Sequence, residues 1–380
     1  MKRYIPDFFK AIIRFFWYKN ERRKVVREFS IRKNQNKLLN QHYSKDTRKL
    51  IIFIVRGASW YTGEDKISGG ILSIASIYEE TEKLKSIHGA KSIMLTPPKA
   101  HLLQKHKQFP NDIPVFRFSQ LQHFSELREV LIHIPEYMFK TSLVEKIFEA
   151  INYLNPEQIH LNILNQRIDI MPSPEIINKI KKQGFKITQT TAHERYSTFI
   201  FREKFGIPLH KLSVYATPER YSFTSHHEKE NLILISPDKA EHKSAVLKKI
   251  AKELPHFRME IIENITYLAY LELIKKAKYM LTFGEGLDFY FIETIFSGGV
   301  SFAVYNTDFF TEPFKDIDGV FDDEKTMEDN IVKHIQSLEK DTKSYKSTNR
   351  AQFEKCHAIY NETHYKNNLV NFYKGEYLYP

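Results

Sequence analysis

The sequence has a single cysteine, Cys356, in 380 residues. That excludes an intrachain disulfide and fits a reducing compartment. No apolar run is long enough to cross a bilayer. The aromatic N-terminal segment has no small-residue cleavage site behind it, so it does not read as a secretory signal. Neither G-x-G-x-x-G nor a P-loop pattern occurs, which argues against dehydrogenases and P-loop ATPases. No convincing nucleophilic triad is present. Hydrophobic residues still make up 42% of the chain and aromatics 14%. The chain is therefore globular, and its length accommodates two domains with separate cores.

The body of the chain also lacks any excess of charge. The formal net charge is +11, and residues 1–49 hold fifteen Lys or Arg against four Asp or Glu. The remainder carries 42 of each sign. A nucleic-acid binder more often spreads basic patches over its folded body, so nucleic acid is not an expected partner. Residues 4–18 (YIPDFFKAIIRFFWY) place Ile5, Phe8, Phe9, Ile12, Ile13 and Phe16 on one helical face. Arg3, Lys10 and Arg14 group opposite. With the basic run that follows to Arg27, this helix suits the interface of an anionic membrane. The alternative is that it packs on the folded body.

The most informative stretch runs from Tyr279 to Asn306. Met280, Leu281 and Phe283 form a short apolar strand that stops at Gly284-Glu285-Gly286. Phe289 to Phe296 follow as a helix with Phe289, Ile292 and Phe296 on one buried face. Ser297-Gly298-Gly299 ends the helix, and Val300 to Val304 form a buried strand. In such a βαβ unit the first turn and the helix start lie at the carboxyl edge of a parallel sheet, where α/β proteins bind ligands. Glu285 falls in the turn. Glu293 lies two helical turns deeper among Phe291, Ile292, Ile295 and Phe296, where a carboxylate is costly without partners. A carboxylate can accept both hydroxyls of a vicinal diol. Gly284 and Gly286 let the backbone approach such a ligand, and free amides at the helix start suit a phosphate.

This stretch resembles the nucleotide-sugar signature of retaining GT-B glycosyltransferases of the family 4-like, bacterial surface-polysaccharide type. Its elements are a glutamate, a glycine, a helix bearing a second glutamate after seven residues, a small-Gly turn and a strand. The resemblance implies that Glu285 contacts the transferred sugar and that Glu293 holds the ribose. Leu287-Asp288-Phe289 departs from the Phe-Gly and proline-containing helix start of many members, which bears on the donor sugar more than on the fold. The implied fold class is α/β, with two Rossmann-like domains facing a cleft. The expected division is a basic amphipathic extension over 1–49, an acceptor-side domain over 50–220, and a nucleotide-sugar-binding domain over 228–355. A tail over 356–380 is expected to pack back on the first domain.

Elsewhere the order of elements is compatible. Strands are predicted at Leu50 to Val55, Ser92 to Thr96, Val115 to Phe118, Glu129 to Ile134, Ile159 to Leu164 and Phe185 to Thr190. Gly69 and Gly70 open a helix after the first strand. The resemblance puts them near the donor phosphates or the acceptor, and a plain tight turn is the alternative. His133 and Glu136, at a strand end, are weak acceptor-contact candidates. Past the strand ending at Thr190, the resemblance sets His193 facing the transferred sugar, with helix capping or packing as the alternative, before a helix from Glu194 to Phe205. Tyr215 to Lys229 reads as the linker, and its His226 and His227 lack partners at a metal-ligand spacing. In the second domain a strand from Asn231 to Ile235 precedes a helix from Lys243 to about Leu254. Related enzymes carry an Arg and a Lys there that neutralise the donor diphosphate. Here the usual Gly-Arg is Ile235-Ser236, which leaves Lys239 and, by preference, Lys243 for that role, with surface solvation as the alternative. Asp316-Ile317-Asp318 matches a D-x-D metal pattern by chance and is discounted.

Taken together, the resemblance implies a retaining transfer without metal or cofactor, from a nucleotide-sugar donor to a glycan or lipid-linked acceptor. With the basic N-terminus it points to a cytoplasmic enzyme peripheral to the inner face of the cell membrane. The expected setting is bacterial lipopolysaccharide, O-antigen or capsule assembly. Two other readings stand beside it. A nucleotide-sugar epimerase of the same fold needs extra acid or base groups near Glu285. A non-catalytic membrane-associated assembly factor tolerates replacement of Glu285 and Glu293.

Overall fold

The computed structural model describes residues 19–56, 69–98, 113–263 and 265–380. The helix expected over 4–18 lies outside the described residues. The first sheet is built from β1 (Lys49–Ile54), β2 (Lys91–Thr96), β3 (Val115–Arg117), β4 (Glu129–Pro135), β5 (Gln158–Asn165), β6 (Lys186–Thr191) and β7 (Leu209–Lys211). Its spatial order is β3-β2-β1-β4-β5-β6-β7, and every pairing is parallel. The second sheet contains β8 (Glu230–Ile235), β9 (Arg258–Ile261), β10 (Ala277–Leu281), β11 (Val300–Val304) and β12 (Val320–Phe321). Its order is β12-β11-β10-β8-β9, again all parallel.

Runs such as Ile51 to Val55 and Leu232 to Ile235 show no polar alternation because helices cover both faces of each sheet. On one face of the first sheet, Ile52, Ile132 and Ile163 pack with Val144 and Ile147 of the helix Thr141–Ile151. On the other, Phe53 and Met94 meet Ile74 and Ile77 of the helix Gly69–Lys83 and Leu369 of the helix Glu362–Lys374. In the second sheet Ile233, Tyr279 and Phe302 pack with Val246 and Ile250 of the helix Lys243–Glu253 and with Ile331 of the helix Glu324–Lys340.

Strand order reverses between β1 and β4 in the first sheet and between β8 and β10 in the second. Such switch points open crevices at the carboxyl ends of strands. The glycine pair lies beyond β1 and the Glu285 turn directly beyond β10, so the topology aims both into one cleft.

Two local expectations are corrected. β10 ends at Leu281, and Phe283 leaves the ladder to donate its N–H to Ser236 Oγ at 3.0 Å. The helix expected over 194–205 is broken into a short turn at Glu194–Tyr196 and a helix at Phe199–Phe205, because Thr198 takes an extended N-cap conformation. Residues past Tyr360 form a regular helix, Glu362–Lys374, opened by the Asn361 side chain accepting His364 N–H and closed by Gly375.

Candidate functional site

A cavity of about 310 Å³ lies between the two sheets. From the first come Gly69 and Gly70, Gln166 and Arg167 beyond β5, and Ala192 and His193 beyond β6. From the second come Pro237 and Asp238 beyond β8, Glu285 and Asp288 beyond β10, and Tyr267, Tyr270 and Glu293. Of the residues singled out in the sequence, the structure brings Gly69, Gly70, His193, Glu285 and Glu293 together.

The glycine pair sits at a close approach of neighbouring side chains. A Cβ on Gly69 would lie 3.1 Å from the Phe289 ring across the cleft. One on Gly70 would lie 2.5 Å from Gln166 Oε1, the end of a side chain whose Nε2–H donates to the Gly70 carbonyl at 3.1 Å. Both line the cavity and open the helix Gly69–Lys83, whose first amides have no intrahelical partner.

Glu293 is 1% exposed, and its Oε1 accepts the hydroxyls of Tyr221 and Tyr267, each at 2.8 Å. Burial pushes the carboxyl up to about 7, against the hydroxyls of Tyr267, Tyr221 and Tyr270 and the charge of Arg220, which favour ionisation. Glu285 is more open, with 37% of its side chain exposed and its Oε1 4.0 Å from Arg167 Nε. Burial raises its pKa, Arg167 opposes the rise, and Asp238 and Asp169 add to it. Asp288 caps the helix Phe289–Phe296 by accepting Phe291 N–H at 2.9 Å, and burial pushes its carboxyl well up.

Arg167 is the cation among the described residues lining this cavity. Its fork grips Asp169 at 3.1 and 2.6 Å, which raises its pKa. Beneath it Glu136 is 3% exposed, and its Oε2 has no hydrogen-bond partner among the described residues. Burial pushes Glu136 up to about 7, against backbone amides of Glu136, Gln166 and Arg167 and the Arg167 charge. His193 Nε2–H donates to the Gln166 carbonyl at 2.8 Å, which leaves Nδ1 as an acceptor. Burial lowers its pKa and keeps the ring neutral.

Four expected donor contacts lie elsewhere. Lys243 Nζ donates to the carbonyls of Ser236 and, at 2.8 Å, Asp238. It braces the turn after β8 and does not line the cavity. Lys239, Gly284 and Gly286 line a separate cavity of about 340 Å³ with Asn306 and Glu324. Gly286 serves the backbone, since at φ +76° a Cβ would lie 2.9 Å from the Val304 carbonyl and 2.5 Å from the Phe310 ring. His133, fully buried beneath the helix Glu362–Lys374, is a packed core histidine 4.6 Å from the Phe53 ring. Asp318 is occupied by His334 at 3.0 Å and Thr348 at 2.9 Å.

Sequence reasoning missed Arg167, Asp238 and the three tyrosines around Glu293. Asp288 carried a readable signal, an Asp directly before an apolar-periodic run. Tyr267 and Tyr270 are one helical turn apart, which shows a shared face but not what it meets. Tyr221 sits in the linker, where no periodicity marks it.

No family model matches the sequence, and no curated protein matches it. Solved structures do. Anabaena HepE in complex with UDP-glucose aligns with a TM-score of 0.54 at 9% identity, covering 86% of this chain and 99% of that one. A putative UDP-N-acetylglucosamine 2-epimerase from Listeria monocytogenes aligns at 0.53 and 11% identity, over 87% and 96% of the two chains. Sucrose-phosphate synthase from Thermosynechococcus elongatus gives 0.52 and 9% identity, over 87% and 99%. The fold is GT-B. At these identities the likeness establishes the two-domain architecture and its cleft alone. Among the described residues no helix is long and apolar enough to cross a membrane.

Proposed function

We propose that the protein is a glycosyltransferase that moves a sugar, with retention, from a nucleotide-sugar donor to a glycan or lipid-linked acceptor. The observation carrying this reading is that Glu285, Glu293 and the Gly69-Gly70 helix start line one cleft of a GT-B fold. With Glu293 Oε1 taken by two tyrosines, Oε2 accepts the ribose hydroxyls, and that hydrogen bonding favours the ionised carboxylate. The amides of Gly69 and Gly70 and the Arg167 guanidinium meet the diphosphate charge, in place of Lys239 and Lys243. Glu285 and His193 Nδ1 accept sugar hydroxyls and orient the anomeric carbon.

In the proposed step the bond between that carbon and the diphosphate oxygen breaks. The acceptor oxygen attacks the same face, and its proton passes to the departing diphosphate. Arg167 and the helix amides stabilise the charge that develops, so the reading calls for no metal or cofactor. The basic residues 1–49 favour a cytoplasmic enzyme at the inner membrane face, with lipopolysaccharide, O-antigen or capsule assembly as its setting.

A second reading, nucleotide-sugar epimerase, is favoured by one observation. Glu136 is a buried carboxyl near neutrality beside Arg167, an acid or base of the kind an epimerase needs. One experiment separates them. Purified protein is incubated with UDP-sugars in deuterated water, and the products are read by NMR. Hydrolysis or transfer with retained anomeric configuration supports the transferase, whereas deuterium at sugar C2 supports the epimerase. A folded protein that binds no nucleotide sugar refutes both.

A further inference from the structure

We infer that a second, cationic groove on the first domain is a binding site for the phosphate of an anionic membrane lipid. The groove has a volume of about 370 Å³ and lies at the carboxyl ends of β2 and β3, where Thr96 and Arg117 end their strands. Arg32, from the helix Lys19–His42, and Arg117 stand on its wall with Ser119 and Gln122, while Glu149 and the half-exposed Tyr153 line it too.

Arg117 is held by neutral groups. Its Nε–H donates to Gln35 Oε1 at 3.0 Å, and Gln35, fully buried, donates in turn to the Val115 carbonyl at 2.7 Å. Its backbone N–H donates to Gln120 Oε1 at 2.9 Å, and Gln120 donates to Asn36 at 2.8 Å. Amide oxygens fix a guanidinium without cancelling its charge, whereas a carboxylate would do both. Arg32 has no carboxylate partner among the described residues. Burial lowers the Arg117 pKa, and the Arg32 charge lowers it further. Arg117, fixed by amides, and the exposed Arg32 line the same groove with a single carboxylate, Glu149, and this cationic wall suits an acceptor-rich anion.

The occupant is identified by what surrounds the groove. On the helix Lys19–His42, residues 22, 25, 29 and 32 fall on one face at successive spacings of three and four. Val25 is 47% exposed and Phe29 69%, and Arg22 and Arg32 flank them. Apolar side chains between arginines, beside a cationic groove, fit a lipid surface: tails beside Val25 and Phe29, head-group phosphate at Arg32 and Arg117. This rests on the membrane-associated reading above and gives it a specific contact.

The test is co-sedimentation of the full chain with vesicles of phosphatidylcholine, with and without phosphatidylglycerol. Arg32→Gln/Arg117→Gln is compared with the equal-charge control Lys248→Gln/Lys252→Gln, two exposed residues of the helix Lys243–Glu253 on the other domain. A built site loses at least about tenfold more affinity for the anionic vesicles in the first variant than in the control. Equal losses, or none, overturn the inference in favour of diffuse attraction or no contact. Inorganic phosphate, titrated without vesicles, gives the third outcome: binding that depends on the same two arginines and is as tight as to vesicles assigns the groove to a soluble phosphate and overturns the lipid assignment. Arg32→Gln alone breaks no hydrogen bond among the described residues, and it carries the comparison if the double variant melts early. UDP-glucose titrated into every variant separates the two proposals, because failure of donor binding leaves the vesicle result standing.

Discussion

One face of the first sheet covers its buried polar side chains, whereas the strand ends of both sheets open polar groups onto a cleft. Under the helix Glu362–Lys374, Asn162 Nδ2 meets His133 Nδ1 at 3.0 Å and donates to Thr190 Oγ1 at 3.1 Å. Thr188 donates to Asn162 Oδ1 at 2.9 Å and meets His160 Nε2 at 2.8 Å. Phe372 lies over this network, its ring 5.5 Å from His133 and 6.3 Å from His160. Across the molecule Glu285 and Asp288 face an open cavity with Glu293 at its wall. Burial perturbs the titrating groups of both regions, so burial alone does not mark a site. The difference is whether the hydrogen-bonding capacity is used up inside the fold or left facing a space a ligand can enter.

The sharpest way to break this comparison is at its two anchors. Phe372→Ala should cost about 3 to 5 kcal/mol in denaturant unfolding, from the lost apolar contacts and the cavity left behind. Donor affinity in the surviving folded fraction should be unchanged. Glu293→Ala should do the reverse at the ligand level and weaken UDP-sugar binding by about a hundredfold, from loss of a charged hydrogen-bond acceptor. Calorimetric titration reads that change.

The pH dependence should show the same contrast at opposite limbs. Burial pulls His133 and His160 down to about 3 from an ordinary 6.5, with His160 further lowering His133 and Lys186 further lowering His160. As pH falls below 6.5, the unfolded chain takes up protons that the folded histidines refuse, and stability is lost. Glu293 and Glu136 are raised from 4.5 to about 7. Their contribution is complete below 4.5 and is lost as pH rises through about 7, because the unfolded carboxyls release protons that the folded ones keep. Melting temperatures across the pH range should therefore fall on both sides. His160→Gln should flatten the acid limb alone and Glu293→Gln the neutral limb alone. The smallest effect is expected at Lys243. Lys243→Met should cost about 1 to 2 kcal/mol of stability by removing two hydrogen bonds from a cation, yet shift donor affinity less than about threefold.

The covered region and the open one were legible to different degrees in the sequence. The helix Phe289–Phe296 and β11 appear at the predicted residues, because an apolar run between glycines is a local signal. Glu285, Glu293, His193 and the glycine pair line one cavity, a proximity that their places at predicted strand ends and helix starts already imply, since strand ends of a parallel sheet converge on one edge. Lys243 does not line that cavity. A lysine beside the right turn reads the same whether its Nζ faces a ligand or, as Lys243 does, two carbonyls of its own loop. Arg167 also follows a predicted strand end, but nothing in the sequence separates it from other exposed arginines, and Tyr221 reaches Glu293 from the linker, a contact no spacing encodes. The three-residue β7 was equally silent, because three residues are too few to show a period; it pairs with β6 and adds one bridge to Tyr379.

The most direct measurement is a calorimetric titration of UDP-glucose into wild type, Glu293→Gln and His160→Gln at about pH 7.5, with ligand-free melting recorded for each. Saturable binding by wild type and His160→Gln, lost in a Glu293→Gln variant that still melts cooperatively, is the predicted result. Equal binding by all three proteins would contradict the assignment of the open acids to the donor and of the covered histidines to the fold.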